Sequence, residues 1–352
     1  MDVNVTGGWN GSTAPWTVTP LGEGASPLLL PYESFLAVTA VLTIYGVGGI
    51  VSNSAVLLMF WRYPTLRTPF NMLLLNLCLG GLIVSMAGIP FSLSSSIHGR
   101  WIWGRSGCVY YGFTNSFCGI LSMITLTVIA YQRYKITVRL PGGPNLKYSD
   151  VIKAIAFVWI YSLVWTAPPL FGWSSYQLEG PRIGCSVDWA SGTVNDISYI
   201  MAFFVSCLIL PLGVIAVCYI RLWQHIHKVL VKPLTFTYIT LITVCNSRAG
   251  QQQNKNSATS KAEGRIGLMV VVLITCFLIC WLPYGLVALV VTFGEPRLIT
   301  PTSAIVCTLM AKSSVMWNPI IYVAMNKQFG RHLVALLRCL RDAETTPQPT
   351  PV

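Results

Sequence analysis

The sequence predicts an all-α membrane protein, a seven-transmembrane helix bundle followed by a short amphipathic cytoplasmic helix. Of its 352 residues, 54% are hydrophobic and only 10% charged, whereas soluble domains carry about 25% charged residues. Seven apolar stretches are each long enough to cross a hydrocarbon core, which takes about 20 helical residues. With the amino terminus outside, every Lys and Arg except Arg100, Arg105, Arg182, Arg297 and Lys312 falls on the cytoplasmic side, where positively charged loops are retained.

The elements follow in order. Residues 1–33 are a polar extracellular tail with no basic start leading into an apolar core, so no cleavable signal peptide is expected. The sequons Asn4-Val5-Thr6 and Asn10-Gly11-Ser12 mark Asn4 and Asn10 for glycosylation. The spans are expected near 34–60, 69–93, 107–131, 151–172, 197–220, 266–293 and 299–325, forming one membrane domain over 34–325. An insert at 233–260 in the third cytoplasmic loop begins the run "PLTFTYITLITVC". That run is too short to span, and an eighth crossing would put the basic carboxyl end outside, so an interfacial or ill-packed segment is expected. Within 326–352, Phe329, Leu333, Leu336, Leu337 and Leu340 recur at helical spacing among Lys327, Arg331, Arg338 and Arg341. This predicts a helix lying on the inner leaflet, followed by a disordered "AETTPQPTPV". Cys339 is either a palmitoylation site or a plain buried cysteine.

The net charge of +12 belongs to the cytoplasmic face and suits anionic membrane lipid or an acidic partner. Nucleic acid is not an expected partner, because the charges are spread over juxtamembrane loops without a binding motif. No GxSxG or HExxH occurs, and none of the four His pairs with Cys at zinc spacing, so neither a catalytic nor a metal site is expected. Of eleven cysteines only Cys108 and Cys185 fall in or beside extracellular segments, where an oxidising medium permits a bridge. A disulfide between them would close a loop of about 77 residues and contribute about 4 kcal/mol in the loop-entropy model.

Lys312 sits inside "LMAKSSVMWNPIIY", roughly 20 Å from either end of its span at 1.5 Å per residue, too deep to snorkel. A central lysine costs about 2.5–3.5 kcal/mol on insertion scales and therefore faces the bundle interior. One reading is a lysine hydrated in a pore or bonded to carbonyls. The other is that low dielectric leaves a neutral amine, the form that attacks an aldehyde to make a Schiff base. If that imine is protonated it needs a counter-charge, and no span contains a carboxylate. Glu179 lies only six residues before Cys185, so the bridge would hold it over the mouth of the bundle; it is either the counterion or an ordinary solvated loop acid.

These residues resemble the opsins, retinal-binding members of the rhodopsin-like G protein-coupled receptors, over nearly the whole chain, and within them the encephalopsin and teleost multiple tissue opsin group. Lys312 six residues before Asn318-Pro319-Ile320-Ile321-Tyr322 matches the retinal lysine and the NPxxY element. Cys280-Trp281-Leu282-Pro283-Tyr284 looks like CWxP, whose proline permits a hinge, and "GWSSYQLEG" matches the second extracellular loop with Glu179 at its acidic position. The resemblance implies 11-cis-retinal in the dark and all-trans after light, bound in a pocket that includes Trp281, Tyr284 and Tyr111. It also implies a heterotrimeric G protein of Gi/Go type as partner, with arrestin and a receptor kinase besides. Vertebrate visual pigments carry the counterion three residues after the cysteine corresponding to Cys108. That residue here is Tyr111, which implies Glu179 as counterion and a bistable, non-visual pigment. Two acids common in the wider class are missing, since Gln132 precedes Arg133-Tyr134 and Gly81 replaces the aspartate of span two. Gln132 implies a weaker inactive-state lock, and Gly81 a thinner polar network near Asn53 and Asn318. A retinal photoisomerase and a receptor for a diffusible ligand remain as alternatives. An ion pump is disfavoured, because proton transfer needs acids along the spans.

Overall fold

A computed structural model of the chain describes residues 31–139, 146–180, 182–240 and 249–345; Asn4 and Asn10 lie outside them. Among the described residues seven helical stretches are long and apolar enough to cross a membrane: Glu33–Arg62, Pro69–Ile97, Gly104–Val138, Tyr148–Leu170, Val194–His225, Arg265–Phe293 and Pro301–Met325. Span one is α1 (Tyr32–Arg62). Span two comprises α2 (Pro69–Ala87) and α3 (Ile89–Ile97), divided at Gly88 because Pro90 has no N–H to continue the ladder. A Cβ at Gly88 would stand 2.9 Å from the Val84 carbonyl oxygen and 3.0 Å from the Asn115 side chain, so only glycine fits at this joint.

Span three is α4 (Gly104–Tyr134) with a π-helical turn over Lys135–Arg139, and span four is α5 (Tyr148–Thr166). Span five joins α6 (Val194–Phe204) to α7 (Leu210–Thr240) through a π-helical stretch over Val205–Ile209. Pro211 lacks the N–H that a regular turn would use there, which accounts for the widening. Spans six and seven belong to α8 (Ala249–Phe293) and α9 (Pro301–Met325), and α10 (Lys327–Thr345) follows. Thr68, Thr193 and Thr300 cap three of these helices by accepting from Asn71, Asp196 and Ser303 backbone N–H groups.

Spans two, three and five run several residues beyond the limits expected from hydropathy, because a helix leaving the hydrocarbon keeps its backbone paired by continuing. The same holds at the 233–260 insert, where α7 persists to Thr240 and α8 begins at Ala249. Helix continuous with spans five and six thus replaces much of the expected interfacial segment. In α10 Phe329 is buried while Lys327, Arg331 and Arg338 are exposed, the two-faced pattern read from the sequence. The Cys339 side chain lies outside the described residues.

The central helix is α4, which packs against α2, α5, α7 and α8. Asn76 ties three spans together by donating to Thr125 Oγ1 and accepting from Trp159 Nε1, each at 2.9 Å. An amide that both donates and accepts between spans holds helices where burial of apolar surface gives no drive. On the outer side, strands β1 (Tyr176–Leu178) and β2 (Cys185–Val187) form an antiparallel hairpin with Leu178 opposite Cys185. Cys185 is bridged to Cys108 at the top of α4. Arg105 adds a second tie, donating from Nη1 to the Tyr176 carbonyl and to Gln177 Oε1, each at 2.7 Å.

Candidate functional site: a lysine in an apolar cavity

The hairpin roofs a cavity of about 180 Å³ between the spans, lined among others by Tyr111, Gly119, Glu179, Trp281, Tyr284 and Lys312. Lys312 is 9% exposed, and its amine donates to the Tyr111 hydroxyl, which also shares a hydrogen bond of 2.5 Å with Ser92. Glu179 comes down from the loop after β1. Its Oε1 accepts from Tyr284 at 2.7 Å, and its Oε2 accepts from Thr308 at 3.5 Å. Thr308 stands one helical turn above Lys312 on α9, so the carboxylate is near the amine, yet no direct ion pair joins them among the described residues. Nearby, burial pushes the Asp188 carboxyl above its ordinary range against the N–H groups of Ala190 and Ser191, which favour its charged form.

Trp281 forms the floor. A Cβ at Gly119 would lie 2.8 Å from its ring, and its Nε1 donates to Ser314 Oγ at 3.0 Å. The indole thus rests on bare α4 backbone and is fastened to α9 two residues past Lys312. Pro283 lies inside α8 and leaves the Ile279 carbonyl without its intrahelical N–H. Pro319 does the same to Val315 in α9, and there Asn53 supplies the missing donor at 2.9 Å. A Cβ at Gly81 would be 2.9 Å from Asn53 Oδ1, so the asparagine occupies the room that an aspartate at this position would need. Asn318 borders the cavity floor, while Tyr322 is fully buried below it.

The remaining sequence-selected residues are not in the cavity. Gln132, Arg133 and Tyr134 end α4 on the cytoplasmic side. The Arg133 guanidinium lies 4.0 Å from the centre of the Phe70 ring, and the buried Gln132 Oε1 has no hydrogen-bond partner among the described residues. Sequence reading missed Ser92, Thr308, Gly119 and Ser314. Only Thr308 carried a signal, through its position one helical turn from Lys312.

The model for the 7 transmembrane receptor (rhodopsin family) matches residues 52–322. The chain belongs to this family. Opsin-3 of Mus musculus is 36% identical over 351 residues, covering 97% of this chain and 82% of that protein. Pinopsin of Columba livia is 35% identical over 325 residues, covering 92% of this chain and 87% of its own. The crystal structure of squid rhodopsin superposes with a TM-score of 0.82 at 26% identity, covering 95% of each chain. The protein is therefore an opsin-related, multi-pass receptor of the plasma membrane with its amino terminus outside. Opsin relatives imply a retinal chromophore, and rhodopsin-family receptors imply coupling to a heterotrimeric G protein. The residues present suit that chromophore. The cavity is lined mainly by apolar side chains, with one amine in its wall and a carboxylate at its mouth, and the Trp281 indole fills the space that a side chain at Gly119 would take.

Proposed function

We propose that this receptor senses light through retinal held by Lys312 as a protonated Schiff base, with Glu179 as its counterion. The observation that carries the reading is the buried Lys312 amine in an apolar cavity that Glu179 also lines. When bound, the chromophore supplies a polyene that light isomerises from 11-cis to all-trans. The chain's own residues do the rest. Tyr111 and Ser92 orient the amine, and Tyr284 and Thr308 keep the carboxylate turned towards it. Trp281 is dislodged from Gly119 and Ser314, α8 bends at Pro283, and span six moves outward. Arg133, Tyr134 and the Asn318-Pro319-Tyr322 end of α9 then complete the G protein site, a shift between two states driven by differential fit. These signalling elements support a receptor over a retinal photoisomerase or a receptor for a diffusible ligand. Coupling is assigned to the Gi/Go type, with arrestin and a receptor kinase acting afterwards and anionic lipid beneath α10.

Absorption spectra of the protein purified with 11-cis-retinal test this. The parent is expected to show a visible band whose photoproduct reverts on a second irradiation, as a bistable pigment does. In Glu179→Gln the imine loses its proton at a pH lower by about two units or more, as removal of a nearby opposite charge dictates. An unchanged titration in that variant would remove Glu179 from the role.

Gln132 leads to a second expectation. A carboxylate beside Arg133 makes a charge-assisted hydrogen bond worth about 1.5–3 kcal/mol, which a neutral amide does not match. Dark nucleotide exchange on a reconstituted Gi/Go protein should fall about tenfold in Gln132→Glu, since 1.4 kcal/mol is about a factor of ten. Equal dark rates in variant and parent would show that Gln132 does not weaken the lock.

A further inference from the structure

We propose that Tyr161 and Tyr199, neither of which lines the cavity, are positioning residues for the chromophore. They clasp spans four and five through two carbonyls that prolines leave without an N–H, and so hold the cavity wall opposite Lys312. The proposal rests on the reading of the cavity as a retinal site and names what gives that site its shape far from the amine.

Lys312 projects from α9, whose main neighbours are α1, α2, α8 and α10. Span five lines the cavity from another side, with Phe203, Phe204, Cys207 and Leu208. Retinal carries its ring at the end of the polyene farthest from the aldehyde, so a chromophore joined to Lys312 meets this wall with its ring. Cys207 and Leu208 lie in the π-helical stretch Val205–Ile209, and Phe203 and Phe204 immediately before it. The widened turn therefore decides how the four side chains are set against one another.

In that stretch the Leu210 N–H reaches back five residues to the Val205 carbonyl. The next bond in the same register would run from residue 211 to the Ser206 carbonyl, but Pro211 has no N–H to give. The Tyr161 hydroxyl of span four donates to that carbonyl instead, at 2.9 Å. The reverse holds at the outer end of span four. An α-helical bond to the Trp165 carbonyl would come from residue 169, which is Pro169, and the Tyr199 hydroxyl of span five donates there at 2.6 Å. Each span thus supplies the donor that a proline removes from the other. Inside a bilayer no water takes the place of such a donor, and a carbonyl left without one costs more than an ordinary hydrogen bond gains. A slip of the turn to the regular register would break the Tyr161 bond and rotate Phe203 and Phe204 relative to Leu208.

Tyr161→Phe removes one hydroxyl and keeps the ring. Parent and variant are loaded with a mixture of 11-cis-retinal and an 11-cis analogue of the same chain length that lacks the ring, and the bound chromophores are extracted and quantified. The parent is expected to favour the ringed form. That preference should fall by about threefold or more in Tyr161→Phe, part of the roughly fivefold that one hydrogen bond is worth. Tyr148→Phe is the control, because it also deletes a phenol-to-carbonyl bond, to Arg67, but away from the cavity; its preference should equal the parent's. Pro211→Ala restores an N–H at residue 211, so Tyr161→Phe added to it should cost less than it does alone. A preference unchanged in Tyr161→Phe, whether or not its melting temperature falls, would overturn the proposal, as would an effect of full size in the Pro211→Ala background. Tyr199→Phe examines the other half of the clasp and should shift the preference in the same direction. If neither tyrosine variant forms pigment with either chromophore, the clasp holds the fold rather than the wall, and the proposal falls. A parent that forms no visible pigment would overturn the retinal reading and this proposal with it.

Discussion

Lys312→Ala, incubated with 11-cis-retinal and purified, is expected to show no visible absorption band while keeping its helical content and its Cys108–Cys185 bridge. The loss should be complete rather than partial. Among the described residues Lys312 is the one amine that lines the cavity, and an aldehyde that cannot form an imine lacks the long-wavelength band of the protonated form. The variant's apoprotein is not expected to be weaker for the change. A central lysine costs about 2.5–3.5 kcal/mol in a membrane, and the Tyr111 hydroxyl left behind keeps Ser92 as a partner. Loss of the band together with an equal or higher melting temperature would separate chemistry from folding. A visible band that survives the substitution would end the covalent reading, and a variant that fails to fold would show that the lysine is structural.

Much of this site was legible in the sequence, for reasons that differ from residue to residue. Lys312 stood out because no other charge lies deep in a span, and the bridge followed from where eleven cysteines fall relative to the membrane. The helices were legible from composition and length, because lipid leaves the backbone few other ways to pair its groups. Two irregularities next to prolines were not anticipated, the joint at Gly88 and the π-helical stretch before Pro211. Prolines are visible in a sequence, but the accommodation each one meets is decided by neighbouring helices. The contacts within the cavity were hidden for a related reason, since Lys312 and Tyr111 are 201 residues apart and only folding sets a tyrosine against an amine. Tyr111 entered the sequence argument as the position at which an acid is missing, whereas in the structure it is the partner of the amine. Glu179 lines the cavity in the structure, but the absence of a direct ion pair with Lys312 among the described residues could not be read from its spacing to Cys185.

The double variant Cys108→Ser/Cys185→Ser should lose both stability and pigment. Its bridge closes a separation of 77 residues, so loop entropy predicts a loss of about 4 kcal/mol. That is a large share of the roughly 5–15 kcal/mol by which folded proteins are stable. The hairpin would not be without ties, because Arg105 still holds Tyr176 and Gln177, and the Tyr176 hydroxyl still donates to the Thr166 carbonyl at 2.8 Å. Ordinary hydrogen bonds contribute about 1 kcal/mol each, so these ties offset only part of the loss. They also hold β1, whereas the bridge holds β2 beside Gly184 and so fixes the far side of the turn that carries Glu179. The expected result is a lower melting temperature and, in whatever pigment forms, an imine that deprotonates at lower pH, as in Glu179→Gln. A double variant that melts lower yet titrates like the parent would mean that β1 alone positions the carboxylate. Pigment yield, melting temperature and titration together distinguish a bridge that stabilises the receptor from one that also places its counter-charge.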